Sequence, residues 1–189
     1  MTGYTHLVGG IVSLALPLAL LQSLDVSASP DTLGTLAIGA LFGSLAPDLD
    51  AAHSLLKALT IPLNATTRRG QYRLELAPFA LPATLLHTAL GHRTLLHSLL
   101  GAVLATAVLA LPFFLGGEPG FGVGFVLGYL SHLALDACTV HGIPLLYPVR
   151  RRFHLLPPVL RIVTGSLQED IVFVLLGSVA FAVLLPLFQ

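Results

Sequence analysis

The longest apolar stretches of this chain, residues 7–24, 95–115, 121–135 and 171–187, contain no lysine or arginine. Such stretches approach the ~20 apolar residues that a helix needs to cross the hydrocarbon of a bilayer. Hydrophobic residues make up 55% of the 189 and charged residues only 10%, too few to cover the surface of an ordinary soluble fold. The sequence therefore predicts one integral membrane domain over residues 1–189. Its expected fold class is all-α, a polytopic helical membrane protein with about five spanning helices plus short interfacial helices.

Residues 7–24 form the first candidate span, which Pro17 bends without ending because neighbouring helices tolerate the lost hydrogen bond. The N-terminus carries no basic flank and no convincing cleavage site, so this helix is expected to be retained. A short polar turn leads to an antiparallel return from near Leu33, or from as early as Pro30, to about Ala46. Gly34, Gly39 and Gly43 give that return a small-residue face for close packing, which permits self-association without requiring it. Residues 54–78 read as a basic excursion outside the hydrocarbon. Residues 74–89, interrupted by Glu75, Pro78, Pro82 and His87, fit a short interfacial helix. Spans over 95–115, 121–135 and 171–187 complete the set, and the Pro- and Gly-punctuated residues 139–165 form a loop or lid.

With five spans and the N-terminus inside, every lysine and arginine falls on the cytoplasmic side, while Asp25, Asp31 and Glu118 fall in outside turns. The same topology gathers most of the chemically capable polar residues on the cytoplasmic side. Asp48, Asp50 and His53 lie in APDLDAAH, His92, Arg93, His97 and Ser98 in GHRTLLHS, and His132 and Asp136 in SHLALD. Each stretch borders an apolar segment, the pattern of a polar site built where membrane helices meet water. The i,i+4 spacing of His132 and Asp136 puts both on one helical face. His92 and His97 are too badly spaced to share a ligand on one ideal helix, so a helix start between them, or separate parts in one cluster, is expected.

Imidazole and carboxylate suit a divalent metal such as zinc or manganese. His6, Asp48, Asp50, His53, His92, His97, His132 and Asp136 form the candidate ligand set for one or two ions. Asp50 is the candidate proton acceptor for an attacking water, and Arg93 the group that neutralises a phosphate or developing oxyanion. Ser98 is expected to orient a ligand through a hydrogen bond. Arg150, Arg151 and Arg152 are candidates for holding an anionic headgroup or a substrate phosphate. Structural readings stand beside these: Asp48 and Asp50 as helix caps, His132 with Asp136 as a hydrogen-bonded pair, Arg93 snorkelling to headgroups. Ionisable groups at a membrane are costly unless paired or functional, which favours the cluster. Cys138 is the only cysteine, so neither an internal disulfide nor a thiolate cluster is available. The basic clusters lack aromatic interleaving, and no nucleic-acid partner is expected.

At these residues the chain resembles the YdjM-like family of bacterial inner-membrane-associated, metal-dependent hydrolases. The resemblance rests on His6, Pro47-Asp48-Leu49-Asp50, Gly91-His92-Arg93, His97-Ser98, Gly128-Tyr129-Leu130-Ser131-His132, Asp136, Thr139, Gly142-Ile143 and Leu145-Leu146-Tyr147-Pro148. In one departure, Ala51 and Ala52 separate Asp50 from His53, where the family's histidine follows the second aspartate directly. The resemblance implies a multi-pass bacterial inner-membrane protein with a metal-dependent hydrolase site. The basic residues near the site favour a membrane lipid or lipid-linked phosphoester as substrate, acted on at the cytoplasmic face. A noncatalytic membrane binding or scaffold protein is the alternative, and a transporter is a third.

Overall fold

The computed structural model describes residues 1–24, 28–50, 61–67, 70–76, 94–149 and 151–185. The first apolar stretch forms α1 (Gly3–Val12) and α2 (Ala15–Ser23), which part at Ser13 and Leu14. Pro17 has no N–H for the Ser13 carbonyl, which explains the break at that point. Ser29 caps α3 (Pro30–Leu45) by accepting from the Thr32 N–H at 3.2 Å, and Pro30 takes the first helical position, where a missing N–H costs nothing. A 3₁₀ turn, Ala46–Asp50, continues α3. Strands β1 (Ile61–Thr67) and β2 (Gly70–Leu76) then pair antiparallel, from Ile61 opposite Leu76 to Thr67 opposite Gly70.

The next helix, α4 (Leu99–Leu115), contains a π turn at Thr106–Ala110, just before Pro112, whose missing N–H interrupts the regular ladder. It is followed by α5 (Pro119–Ala137) and α6 (Leu167–Leu184). Residues 138–166 between them are folded without a long helix, held by bridges between Thr139 and Ile162 and between Ile143 and Phe153.

Three segments among the described residues are long and apolar enough to cross a membrane: Gly3–Leu21, Pro30–Leu49 and Pro119–Ala137. The expectation of about five spans is corrected accordingly. The stretch expected at 95–115 gives up Thr94 to Ser98 to a turn, and the remaining Leu99–Leu115 is shorter than a full crossing. In α6 the first turn is polar, as the expected start at Ile171 implies, and the described helix ends at Leu184, leaving an apolar run shorter than a full crossing. The expected end at Leu187 lies outside the described residues. The interfacial helix expected from residue 74 is also corrected, since Leu74 to Leu76 belong to β2. There Tyr72, Leu74 and Leu76 alternate with Gln71, Arg73 and Glu75, the period of a strand. The rest of that segment, residues 77–89, lies outside the described residues.

The centre of the fold is the contact between α3 and α5. A Cβ on Gly39 would lie 2.1 Å from Phe121 O, and one on Gly43 would lie 2.0 Å from Phe125 O. Gly124 and Gly128 return the same contact against Leu36 O and Ala40 O, at 2.0 Å each. The expected small-residue face thus packs backbone on backbone against α5. Gly34, also on that expected face, meets open space. Phe125, Tyr129, Leu133 and Ile143 form the buried core beside this contact. Elsewhere the helices turn large apolar side chains outward, among them Val103, Val108, Leu115 and Phe181, as lipid-facing surfaces do.

Candidate metal centre

Four segments bring imidazole and carboxylate groups to one end of the helix bundle. His6 comes from the second turn of α1, Asp48 from the 3₁₀ turn after α3, His97 from the turn before α4, and His132 and Asp136 from the last turns of α5. Pro47 cannot donate to the Gly43 carbonyl, and the tighter turn that replaces the α-helix there carries Asp48 into the cluster. The His97 turn is fixed twice. Tyr129 Oη donates to Leu96 O at 2.6 Å, and the Leu99 N–H donates to Leu145 O at 3.0 Å.

His97 Nε2 lies 3.4 Å from His132 Nε2, 3.3 Å from Asp48 Oδ1 and 3.5 Å from Asp136 Oδ2. His132 Nε2 lies 3.8 Å from each of the same two carboxylate oxygens. His6 stacks on His132 with ring centroids 3.6 Å apart, and its Nε2 lies 3.3 Å from Asp136 Oδ1. The α-amino group of Met1 donates to that same oxygen. The side chains of His6, His97, His132 and Asp136 are at most 1% exposed, whereas Asp48 is 18% exposed and forms the open edge.

These groups fit a divalent metal. His132 Nδ1 lies 2.7 Å from Ser44 O, which can only accept, so Nδ1 carries a hydrogen and the neutral ring keeps its lone pair at Nε2. That lone pair faces two carboxylate oxygens, an array of acceptors that calls for a cation between them. His6 Nδ1 is buried without a hydrogen-bond partner among the described residues. Ligand bonds of ~2.0–2.1 Å in a tetrahedral array separate their ligand atoms by roughly 3.3–3.4 Å, matching the shortest spacings around His97. Two triads meet the distance requirement for one ion, His6 with Asp48 and His132, and His97 with His132 and Asp136. They share His132, whose single free lone pair ties both to one centre.

Five of the expected ligands, His6, Asp48, His97, His132 and Asp136, are therefore brought together. The Asp50 side chain, His53, His92, Arg93 and Arg150 lie outside the described residues. Ser98 has a different place from the expected one. Its Oγ accepts from the Gly101 N–H at 3.1 Å and donates to Leu95 O at 2.6 Å, so it caps α4 and shapes the His97 turn instead of touching a ligand. Arg151 and Arg152 are exposed, and Arg152 donates to Gly142 O at 3.3 Å. Neither pairs with a cluster member among the described residues.

Sequence reasoning missed the Ser44 carbonyl, since a backbone acceptor leaves no mark in residue type. Glu169 is legible in sequence as a cap of the last helix, but its clasp on Thr2 and Thr5 was missed. One carboxylate oxygen accepts from the Thr2 N–H at 2.5 Å and Thr5 Oγ1 at 2.9 Å, the other from the Gly165 N–H at 2.7 Å. Burial raises the Glu169 pKa, but these hydrogen bonds outweigh it and hold the group below its ordinary value. The clasp ties α1, and with it His6, to the start of α6.

The family described as "YdjM inner membrane protein" matches residues 1–188. Inner membrane protein YdjM of Escherichia coli (strain K12) is 40% identical over 102 residues, 52% of this chain and 49% of that protein. The Shigella flexneri protein of the same name matches to the same extent. This match spans about half the length of those two relatives. Uncharacterized protein YvsG of Bacillus subtilis (strain 168) is 31% identical over 176 residues, 91% of this chain and 87% of that protein. No solved structure matches the chain.

Proposed function

Because the chain belongs to the YdjM family of bacterial inner-membrane proteins, we propose that its His/Asp cluster holds a divalent metal and hydrolyses a phosphoester of a membrane lipid or lipid-linked substrate. The observation that carries this reading is the convergence of three imidazoles and two carboxylates, from four segments, around the acceptor nitrogen of His132. Zinc and manganese both suit such a set. Held by His6, Asp48, His97, His132 and Asp136, a divalent ion would supply Lewis acidity toward a phosphoryl oxygen and toward water.

The chain's own residues divide the remaining work. His97, His132 and Asp136 form the buried wall of the site, and the Ser44 carbonyl holds the His132 ring in its tautomer. Asp48, the exposed member, borders the side from which substrate and water enter. Two residues beyond it in sequence, Asp50 is the proposed proton acceptor. Arg93, just before the His97 turn, is the proposed partner of the phosphate charge. Arginines 151, 152 and 161 follow α5 at the same end of the bundle as the cluster, and the positive-inside rule supports a cytoplasmic orientation for it.

A second reading, a noncatalytic metal or scaffold site, draws on the near-complete burial of four of the five groups, since structural sites are closed. Elemental analysis of untagged protein, with Asp48→Ala and His132→Ala alongside, tests the centre. Near-stoichiometric metal in the parent that is lost in both folded variants is expected. Metal-replete parent that leaves lipid phosphoesters intact would favour the second reading, and folded parent that takes up no metal would overturn both metal roles.

A further inference from the structure

The segment between α5 and α6 offers an outward aliphatic surface that the hydrolase reading does not use. From Cys138 to Gly165 the chain has four arginines and no aspartate or glutamate. It starts directly after Ala137, the last residue of a membrane-spanning candidate. Its backbone is fixed to that end: the Leu155 N–H donates to Ala137 O at 2.9 Å, and the Ile162 N–H to Cys138 O at 3.0 Å. The inner side buries Ile143 and Ile162, whereas Val159 is 86% exposed, Leu155 65% and Leu160 61%. Among the described residues every ion pair involves Met1 or a histidine, so Arg151, Arg152 and Arg161 have no carboxylate partner. Instead Arg152 and Arg161 donate to backbone carbonyls, at 3.3 and 3.2 Å.

A segment anchored at the end of a span, with outward aliphatic side chains and guanidinium groups that have no carboxylate partner among the described residues, combines the two features that bind an anionic membrane interface. Aliphatic side chains leave water for the acyl boundary, and arginines meet lipid phosphates. We infer that residues 138–149 and 151–165 form an interfacial element, with Leu155, Val159 and Leu160 set into the lipid boundary and Arg151, Arg152 and Arg161 bound to anionic phospholipid headgroups. This surface function goes beyond hydrolysis and holds whether or not the chain turns over a substrate.

The chain has no tryptophan, so Val159→Trp in the full-length protein places a single reporter on this surface. The variant is studied in nanodiscs of phosphatidylethanolamine and phosphatidylglycerol, with Leu155→Trp as an independent second site. Brominated-chain lipids are expected to quench about half or more of the emission, as for an indole at the lipid boundary, and aqueous iodide much less. Changing Arg151 and Arg152 to Gln in the reporter protein is expected to lower quenching by brominated phosphatidylglycerol relative to brominated phosphatidylethanolamine. Strong iodide quenching without bromolipid quenching at both sites would overturn the inference in favour of a water-facing loop. Protection from both quenchers would overturn it in favour of a covering protein, whether an acidic partner or a second copy. An unchanged lipid preference in the double arginine variant would overturn the headgroup role.

Discussion

Tyr129 belongs to the buried core one turn before His132, and its hydroxyl holds the Leu96 carbonyl in the turn that presents His97. Tyr129→Phe is therefore expected to weaken metal binding by about 10–100-fold, the range for residues that orient a ligand, while α5 still folds. Competition with a chromogenic chelator measures this, and an unchanged affinity would remove Tyr129 from the centre. Glu169 supplies a pH test. Its folded pKa is depressed, so its contribution to stability is present above the ordinary glutamate value and disappears as pH falls through the folded value. Thermal unfolding in detergent is expected to show Glu169→Gln less stable than the parent near neutral pH, with the two converging in acid. At this scale the sequence was informative wherever the chemistry lies in side chains. The i,i+4 pair His132 and Asp136 shares a face as its spacing requires, and the DLD and HS motifs contribute Asp48 and His97. Ser44 was illegible because any residue offers the same carbonyl, and the long-range half of the Glu169 clasp because Thr2 and Thr5 lie more than 160 positions away.

Among the helices, the packing of α3 on α5 separates glycines that look alike in sequence. Gly43→Ala puts a methyl group 2.0 Å from the Phe125 carbonyl and is expected to destabilise by ~1–3 kcal/mol or more, because neither backbone yields easily. Gly34→Ala meets nothing and is expected to be neutral or stabilising by ~0.5–1 kcal/mol, the intrinsic gain of alanine over glycine in a helix. Unfolding midpoints of the two variants, measured in the same detergent, check the contrast. Hydropathy alone located α3 and α5 within a few residues, and Ser29 and Pro30 mark the α3 start. It overcounted spans in part because a hydropathy run does not register that Ser98 caps a helix and so shortens the apolar run behind it. The β1–β2 hairpin carries a period-two pattern within a basic stretch, where net charge obscured the alternation.

Across the whole molecule, the candidate centre links segments from position 6 to position 136 at one end of the bundle, so a metal bound there would be thermodynamically coupled to the fold. Chelation is expected to lower the unfolding temperature of the parent, and added zinc or manganese to raise it in proportion to the logarithm of free metal. His132→Ala is expected to abolish that dependence, and a parent insensitive to chelator would contradict the coupling. The glycine contact between α3 and α5 has a kinetic consequence. It joins Asp48, His132 and Asp136 into one stiff ledge, while His6 and His97 arrive on segments with separate anchors. An ion entering the proposed centre would therefore meet three groups already held together, with the other two brought by separately anchored segments. If the centre holds metal, loosening either anchor, by Glu169→Gln or Tyr129→Phe, is expected to speed metal release more than it slows uptake, as stopped-flow transfer to a chelator would measure.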